Sequence, residues 1–496
     1  MQHNPRHASS HKWSVFAAIG MGVFLATIDS SIVNVALPTF VRTFKTKFAV
    51  VQWVSLAYML TIATLILSMG RLGDTYGKKR IYLTGMIIFT FGSALCGMAQ
   101  TVQLLIIFRI FQAVGAAMMA SLGAAILTET FPAKERGKAL GSIGGIVSIG
   151  IIAGPTLGGI LIDAISWHWI FFVNIPIGII GTFMVMRFVP DFLPAGSQKF
   201  DLAGAAVLFI SVLTLLLALT LGQTFGFKHP LIVGLFITWI FTFLLFLYVE
   251  LNIEDPMIDL TIFRNYRFTL NLFTGFLSFV ALSGVILLMP FYLENVLGYQ
   301  PHQVGLFLAV VPLAAGFTSP LSGMLSDRFG TRTIAMVGLL IMLIGFIGLS
   351  TLNENTSALG YIVRFFPIGL GIGIFQSPNN SAIMGAASHK RLGVVSGLLS
   401  ITRTLGQTAG IATLGAFWAA RVAYYSNHTT SPAHADTVIT AQVAGLQDTI
   451  TGTILIVGFA LMLSIWAAML SLRRRRTRNK KNLVHDLTLK NEIIKP

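Results

Sequence analysis

The sequence predicts an all-helical, polytopic membrane protein, and three observations predict it. Of the 496 residues, 55% are hydrophobic and only 10% charged, whereas a soluble protein carries about 25% charged residues. Fourteen apolar stretches occur along the chain, most near or above the ~20 residues that a membrane-spanning helix needs. Between them the basic residues are unevenly shared: 26 of the 34 lysines and arginines fall in the tails and alternate loops of one face. Together these exclude a water-soluble enzyme.

The elements follow in order. The first run, 14–38, is too long for the apolar core of a signal peptide and lacks an Ala-x-Ala exit. It reads as span 1, after a polar tail of residues 1–13. Spans 2 to 6 fall at 49–69, 81–99, 102–127, 139–162 and 169–189. Spans 7 and 8 follow at 202–222 and 230–249, and the last six at 269–292, 303–322, 333–351, 357–382, 393–420 and 447–471. Lipid offers no partner to an unpaired backbone group, so each run must satisfy its own polar groups as a helix. The runs are too long, and lack the period-two alternation, for barrel strands.

The basic asymmetry places both termini in the cytoplasm, with Arg42, Lys45 and Lys47 in the first external loop as a local exception. The net charge of +16 is therefore assigned to loops and not to nucleic acid. The run Arg473 to Lys481 reads as a stop-transfer anchor or as a tail on anionic lipid heads. One cysteine, Cys96, lies inside an apolar run, so no disulfide framework or thiolate cluster is available. The histidines are scattered, and no cofactor or metal site is expected.

Two segments repeat. After span 2 stands Gly70-x3-Asp74-x2-Gly77 followed by basic residues up to Arg80, and after span 10 stands Gly323-x3-Asp327-x2-Gly330 followed by Arg332. Arg109 in span 4 is matched by Arg364 in span 12, each near the external end and followed by a glycine-rich stretch. Spans 1–6 thus map onto spans 9–14. The expected organisation is a tail (1–13), a six-helix half (14–189), an inserted helix pair (190–268), a second six-helix half (269–471) and a basic tail (472–496).

This plan resembles the major facilitator superfamily, and within it the fourteen-span drug:proton antiporter branch. The loop after span 2 resembles the superfamily signature between helices 2 and 3. Arg109, Gln112 and Gly115 resemble its helix-4 signature, with Ala113 where glycine is usual. Gly141-x8-Gly150-x3-Gly154-Pro155-x2-Gly158-Gly159 matches the antiporter signature at every fixed position. The segment from Leu25 through Asp29 and Asn34 to Pro38 resembles the branch's helix-1 motif, and Trp167 to Pro176 the opening of its helix 6, with His168 where arginine is usual.

Asp29 is the one acid placed deep in a span, and Arg109 lies at similar depth on span 4. A carboxylate buried there costs several kcal/mol unless it is paired, protonated or wetted. If the two helices pack, Arg109 holds Asp29 ionised, and separation or an arriving cation shifts its proton. The resemblance implies the same coupling role for Asp29, Arg109 and Gln112; a static ion pair is the plain alternative. In the loops, Asp74 can cap a neighbouring helix and face its dipole, and Arg80 can reach Glu129. The resemblance implies a cytoplasmic latch closing the halves in the outward-facing state, with Asp327 acting likewise; an ordinary turn is the alternative. Gly150, Gly154 and Gly158 recur every four residues, as a small-residue packing face or a leak-resisting seam against the opposite half. Gly369-x-Gly371-x-Gly373 reads as a close-packed helix, since no strand precedes it.

Candidates for binding substrate are Asn34, Trp53, Tyr58, Gln376, Asn379 and Arg403. Trp53 reads equally as an interface anchor. Arg403 has no acid of matching depth in its own half, so it faces water or an anionic substrate group. The expected function is proton-driven export of lipophilic or amphipathic organic compounds from the cytoplasm of a bacterium, through its inner membrane. A dedicated exporter of one metabolite, antibiotic or lipid-like molecule and a non-transporting membrane sensor are the alternatives. A periplasmic adaptor and outer-membrane channel are partners some relatives use where the host has two membranes. No cluster with catalytic spacing points to an enzyme.

Overall fold

The computed structural model describes the backbone over residues 5–493, apart from 47, 52, 192–200, 254, 255, 257, 259, 300, 387–390 and 429–433. Side chains are described there except at 5–11, 34, 38, 48, 49, 155, 223, 224, 301, 302, 427, 428, 434–438 and 470–493. The side chains of Asn34, Pro155 and the basic run 473–481 therefore lie outside the described residues.

Among the described residues every regular element is helical. The first six long helices are α1 (Pro5–Thr43), α3 (Trp53–Tyr76), α4 (Lys78–Gly97), α5 (Val102–Thr130), α6 (Arg136–Ala164) and α8 (Asn174–Phe188), with single turns α2 (Phe48–Val51) and α7 (Trp169–Phe172) between them. Then come α9 (Leu202–Phe225) and α10 (Pro230–Asn252). The last series is α11 (Tyr266–Phe291), α12 (Pro301–Leu308), α13 (Val310–Phe329), α14 (Thr331–Leu349), α15 (Ala358–Gly385), α16 (Leu392–His428) and α17 (His434–Ile493).

Local chemistry sets several starts. Thr101, Asp201, Asn265 and Ser357 each accept a hydrogen bond from an N–H of the first turn of α5, α9, α11 and α15, supplying partners that helix N-termini lack. Pro230 opens α10, where its missing N–H costs nothing. The two repeated loops share a backbone device. Gly77 (φ 101°) and Gly330 (φ 91°) take left-handed conformations between α3 and α4 and between α13 and α14, and only glycine does so without strain.

Thirteen of these helical stretches are long and apolar enough to cross a membrane, against fourteen expected. The span expected over 393–420 does form a helix, within the 37-residue α16. Thr402, Arg403, Thr404, Gln407 and Thr408 dilute its hydropathy, and it is absent from the thirteen. Two expected spans are interrupted. The one at 169–189 is α7 plus α8, and the one at 303–322 is α12 plus α13, broken at Ala309.

Packing follows one scheme twice. α5 packs on α3 and α4, α1 on α6, and α8 on α1 and α4. Equally, α15 packs on α13 and α14, α11 on α16, and α17 on α11 and α14. The two series meet through α6 against α13 and α3 against α16, while α9 pairs with α10 and touches α3 and α16. Where helices press closest, glycine faces backbone: a Cβ at Gly371 would collide with Met342 of α14, and one at Gly369 would lie 2.7 Å from the Val311 carbonyl of α13. α15 is thus wedged between two neighbours.

The glycines of α6 correct one expectation. Gly150, Gly154 and Gly158 pack on Thr27, Ser31 and Ile32 of α1, within the same series, and Ser31 Oγ donates to the Gly150 carbonyl at 3.0 Å. The seam against the other series is made instead by Gly137, Gly141, Gly144 and Gly145, which face Gly323, Ser319 and Gly316 of α13. A helix turns 3.6 residues per revolution, so the six-residue step from Gly144 to Gly150 carries the second set to another face. Gly159 has open space around its Cα.

Candidate functional site

Five helices of the first series build one buried polar cluster. Asp29 on α1 and Arg109 on α5 form an ion pair, Arg109 Nη1 to Asp29 Oδ2, at 2.6 Å, with side chains 0% and 1% exposed. The other carboxylate oxygen accepts from Gln112 Nε2 (3.0 Å) and Asn174 Nδ2 (2.8 Å). Arg109 Nη1 also donates to Gln112 Oε1 at 2.6 Å and its Nε to the Val54 carbonyl at 3.3 Å. Gln112 Nε2 donates to Ser93 Oγ at 2.6 Å, and Cys96 Sγ lies 3.7 Å from Gln112 Oε1. The guanidinium carbon stands 3.9 Å above the centre of the Tyr58 ring. Tyr58 Oη and Asn174 Oδ1 have no hydrogen-bond partner among the described residues.

A buried charge survives only when paired and hydrogen-bonded. Here every contact of the carboxylate comes from a different helix or a different turn, so the partners of Asp29 depend on how α1, α5 and α8 sit together. Sequence reasoning reached Asp29, Arg109, Gln112 and Tyr58. It did not assign Asn174 or Ser93, single polar residues in apolar runs. Asn174→Ala removes one donor to the carboxylate, and a hydrogen bond to a charged group contributes about 1.5–3 kcal/mol. The expected result is a lowered thermal-unfolding midpoint of the purified protein; an unchanged midpoint would show that the contact contributes nothing.

At one end of the bundle two acids, expected in loops but found in the last turns of α3 and α13, cap helices of the opposite series. Asp74 accepts from the N–H groups of Gly393 (3.0 Å) and Val394 (3.1 Å), in the first turn of α16. Asp327 accepts from Gly137 and Lys138, both at 3.1 Å, in the first turn of α6. Carboxylates in these places satisfy orphan donors and face the positive end of the helix dipole. Backbones touch alongside: Gly70 meets the Gly393 carbonyl, Gly323 the Gly137 carbonyl, and Ser377 Oγ donates to the Gly137 carbonyl at 3.1 Å. The bridge to Glu129 expected from Arg80 is made by Lys78, 3.1 Å from Glu129 and 2.9 Å from Asp74, while Arg80 is exposed. Lys78 opens α4 one turn after Asp74, and Arg80 points away from both acids.

The remaining candidates do not converge. Trp53 packs on the core of the first series. Asn379 is buried on α15 and leans toward Gly275 of α11, and Gln376 is half-buried. Arg403 is half-buried on α16, with the Phe279 ring centre 5.7 Å from its guanidinium carbon. Outside the spans, His168 stacks on Trp167 with ring centres 3.8 Å apart, and partial burial lowers its pKa below the usual histidine value, leaving it uncharged at neutral pH. No group of three or more metal-ligating side chains occurs among the described residues.

A family model described as Major Facilitator Superfamily matches residues 19–411. The chain is similar to the riboflavin transporter RibZ of Clostridioides difficile, 37% identical over 424 residues, 85% of this chain and 92% of that protein. It is similar to the multidrug resistance protein Stp of Mycobacterium tuberculosis, 35% identical over 404 residues, 81% of this chain and 75% of that protein. Among solved structures, the human organic anion transporter MFSD10 (TETRAN) shares the fold, with a TM-score of 0.65 at 13% identity, over 91% of this chain and 99% of that one.

Proposed function

The chain belongs to the Major Facilitator Superfamily, and from that premise we propose that it is a proton-coupled antiporter exporting lipophilic or amphipathic organic compounds. At the coarser level it is a multi-pass bacterial membrane transporter of small organic molecules and not an enzyme. The finer reading makes α16 a span as well, the thirteenth of fourteen, the two helix series the halves at 14–189 and 269–471, and 190–268 the inserted pair. Both termini and the Asp74 and Asp327 caps are then cytoplasmic, and the closed end is the cytoplasmic gate of an outward-facing state.

The observation that carries the reading is the Asp29–Arg109 pair, with its amides drawn from α5 and α8. A transporter that exchanges a proton for cargo needs one ionisable group whose charge depends on helix packing. In the closed arrangement Arg109 neutralises Asp29, and movement of α1 against α5 removes that partner, so the carboxylate takes a proton. Alternating access about a midplane site then couples proton entry to export. The likeness to Stp, a multidrug resistance protein, supports a broad substrate range. The RibZ name, at higher identity and over 92% of that protein, supports a second reading, a dedicated carrier of one aromatic metabolite.

The test uses proteoliposomes with an entrapped pH dye, an imposed pH gradient and a panel of lipophilic cations, neutral drugs and flavins. Several chemically unrelated compounds are expected to dissipate the gradient through the protein. A response to flavins alone favours the dedicated carrier, and no response to any compound sinks proton antiport.

A further inference from the structure

Arg403 is a permanent cation inside the membrane-spanning part, and no described residue gives its guanidinium a hydrogen bond or an ion pair. The described acids of its half are placed elsewhere. Asp327 caps α6, Asp448 pairs with Arg421 at 2.6 Å, Glu354 accepts from Thr440 at 3.0 Å, and Glu294 is exposed. Arginines at such depth face a bundle interior or a watery cavity and mark substrate paths.

Its position on α16 tells which. Gly393, Gly397 and Ser400 lie on one helical face, closed against the first half. Gly393 meets Gly70, a Cβ at Gly397 would stand 3.1 Å from the Ile66 carbonyl, and Ser400 Oγ donates to the Ala120 carbonyl at 3.4 Å. Thr404 is the next residue on that face, and Arg403 stands beside it, about a quarter turn round toward Phe279 of α11, ten residues and about 15 Å above Gly393, or half the ~30 Å hydrocarbon thickness. Opposite it the two halves draw apart. Along the face of α3 that meets α16, exposure rises from 2% at Ile66 to 46% at Met59, two turns further from the gate. On α6, the position equally far beyond Gly137 is Val147, and the seam there stays closed through Ser148 against Gly316. The cation therefore stands on one side only, at the edge of the opening between α3 and α16, beside the Phe279 ring of α11.

We propose that Arg403 is the anion subsite of the transport cleft. It holds the carboxylate, sulfonate or phosphate group of an amphipathic organic substrate, whose apolar part lies along Phe279 and Met59. The planar guanidinium fork suits such groups. The inference deepens the exporter reading and rests on it for the name of the cleft.

The experiment uses the full chain in phosphatidylcholine nanodiscs, with empty discs subtracted, and two matched probes: anionic 1-anilinonaphthalene-8-sulfonate and neutral N-phenyl-1-naphthylamine. Arg403→Gln is expected to weaken saturable sulfonate binding at least tenfold and to change neutral binding less than twofold, with Arg403→Lys in between. Equal sulfonate affinity in wild type and Arg403→Gln overturns the proposal, as does a parallel loss for both probes. The same proteins in proteoliposomes separate the two readings. Arg403-dependent sulfonate binding without proton exchange by any probe sinks the antiporter and keeps the subsite. Proton exchange driven by the neutral probe with no saturable sulfonate binding does the reverse.

Discussion

Replacing Asp29 by asparagine is expected to abolish substrate-driven proton exchange while leaving the protein folded. Asparagine keeps one oxygen, enough for Arg109 but not also for Gln112 and Asn174, which donate to the other oxygen of Asp29, and it has no proton to exchange. The dye-loaded proteoliposome assay should read Asp29→Asn at the level of protein-free vesicles, with a cooperative unfolding transition at a lowered midpoint, since Arg109 loses its counter-charge. Full exchange in the variant would remove Asp29 from the mechanism. Arg109→Ala is expected to behave differently. It leaves a carboxylate uncompensated in a site 0% exposed, and breaking a buried pair from one side costs about 3–5 kcal/mol. That variant should lose stability, and Asp29→Asn added to it should restore much of what was lost. Without such rescue, the pair is not the source of the loss.

The second large effect is expected at the gate. Asp74 and Asp327 together accept four backbone hydrogen bonds across the interface, each charge-assisted and contributing about 1.5–3 kcal/mol. Asp74→Ala with Asp327→Ala removes all four, and a tenfold change in population needs only about 1.4 kcal/mol. The double variant should therefore leave the closed arrangement. Ser377, 3% exposed at the seam, provides the reporter. As Ser377→Cys it should be shielded from a membrane-impermeant maleimide in inside-out vesicles of the parent and labelled quickly in the double variant. Cys96 is fully buried and adds no background. Equal labelling in both would show that the carboxylates cap helices without holding the gate. Each single variant is expected to fall between, since the other carboxylate keeps its two bonds across the interface.

What the sequence made legible was whatever leaves a periodic or repeated mark. Apolar runs gave the helices, and the paired Gly-x3-Asp-x2-Gly loops gave the correspondence between the two series. A lone acid and a lone arginine at equal depth marked the buried pair. Less legible were properties that depend on rotation about a helix axis. The glycines of α6 read as one stripe, yet Gly141 and Gly150 face different helices. Lys78 and Arg80 are both basic and two residues apart, and only the turn at Gly77 decides which of them meets Glu129. Asn174 fell inside the segment that resembles the opening of helix 6, yet its role was not legible, because what matters is the oxygen of Asp29 opposite it. The polar turns of α16 pulled a real helix below the hydropathy of its neighbours, for the same reason that Arg403 stands out.

The two glycine faces of α6 differ in mechanical character. Against α1 the helix is keyed: the side chains of Thr27, Ser31 and Ile32 sit in the hollows at Gly150, Gly154 and Gly158, and a hydroxyl bond pins the register. Along the middle of the α13 face the surface is smooth, with Gly141, Gly144 and Gly145 opposite Ser319 and Gly316 and no large side chain to interlock. Sliding past a keyed face means lifting knobs out of holes, whereas backbone against backbone can shear with no change of rotamer. α6 is in this sense a bearing, fixed to one body and running against another, and the direction of easy travel is written in which glycines hold a branched side chain and which meet only main chain, serine or the edge of a proline ring.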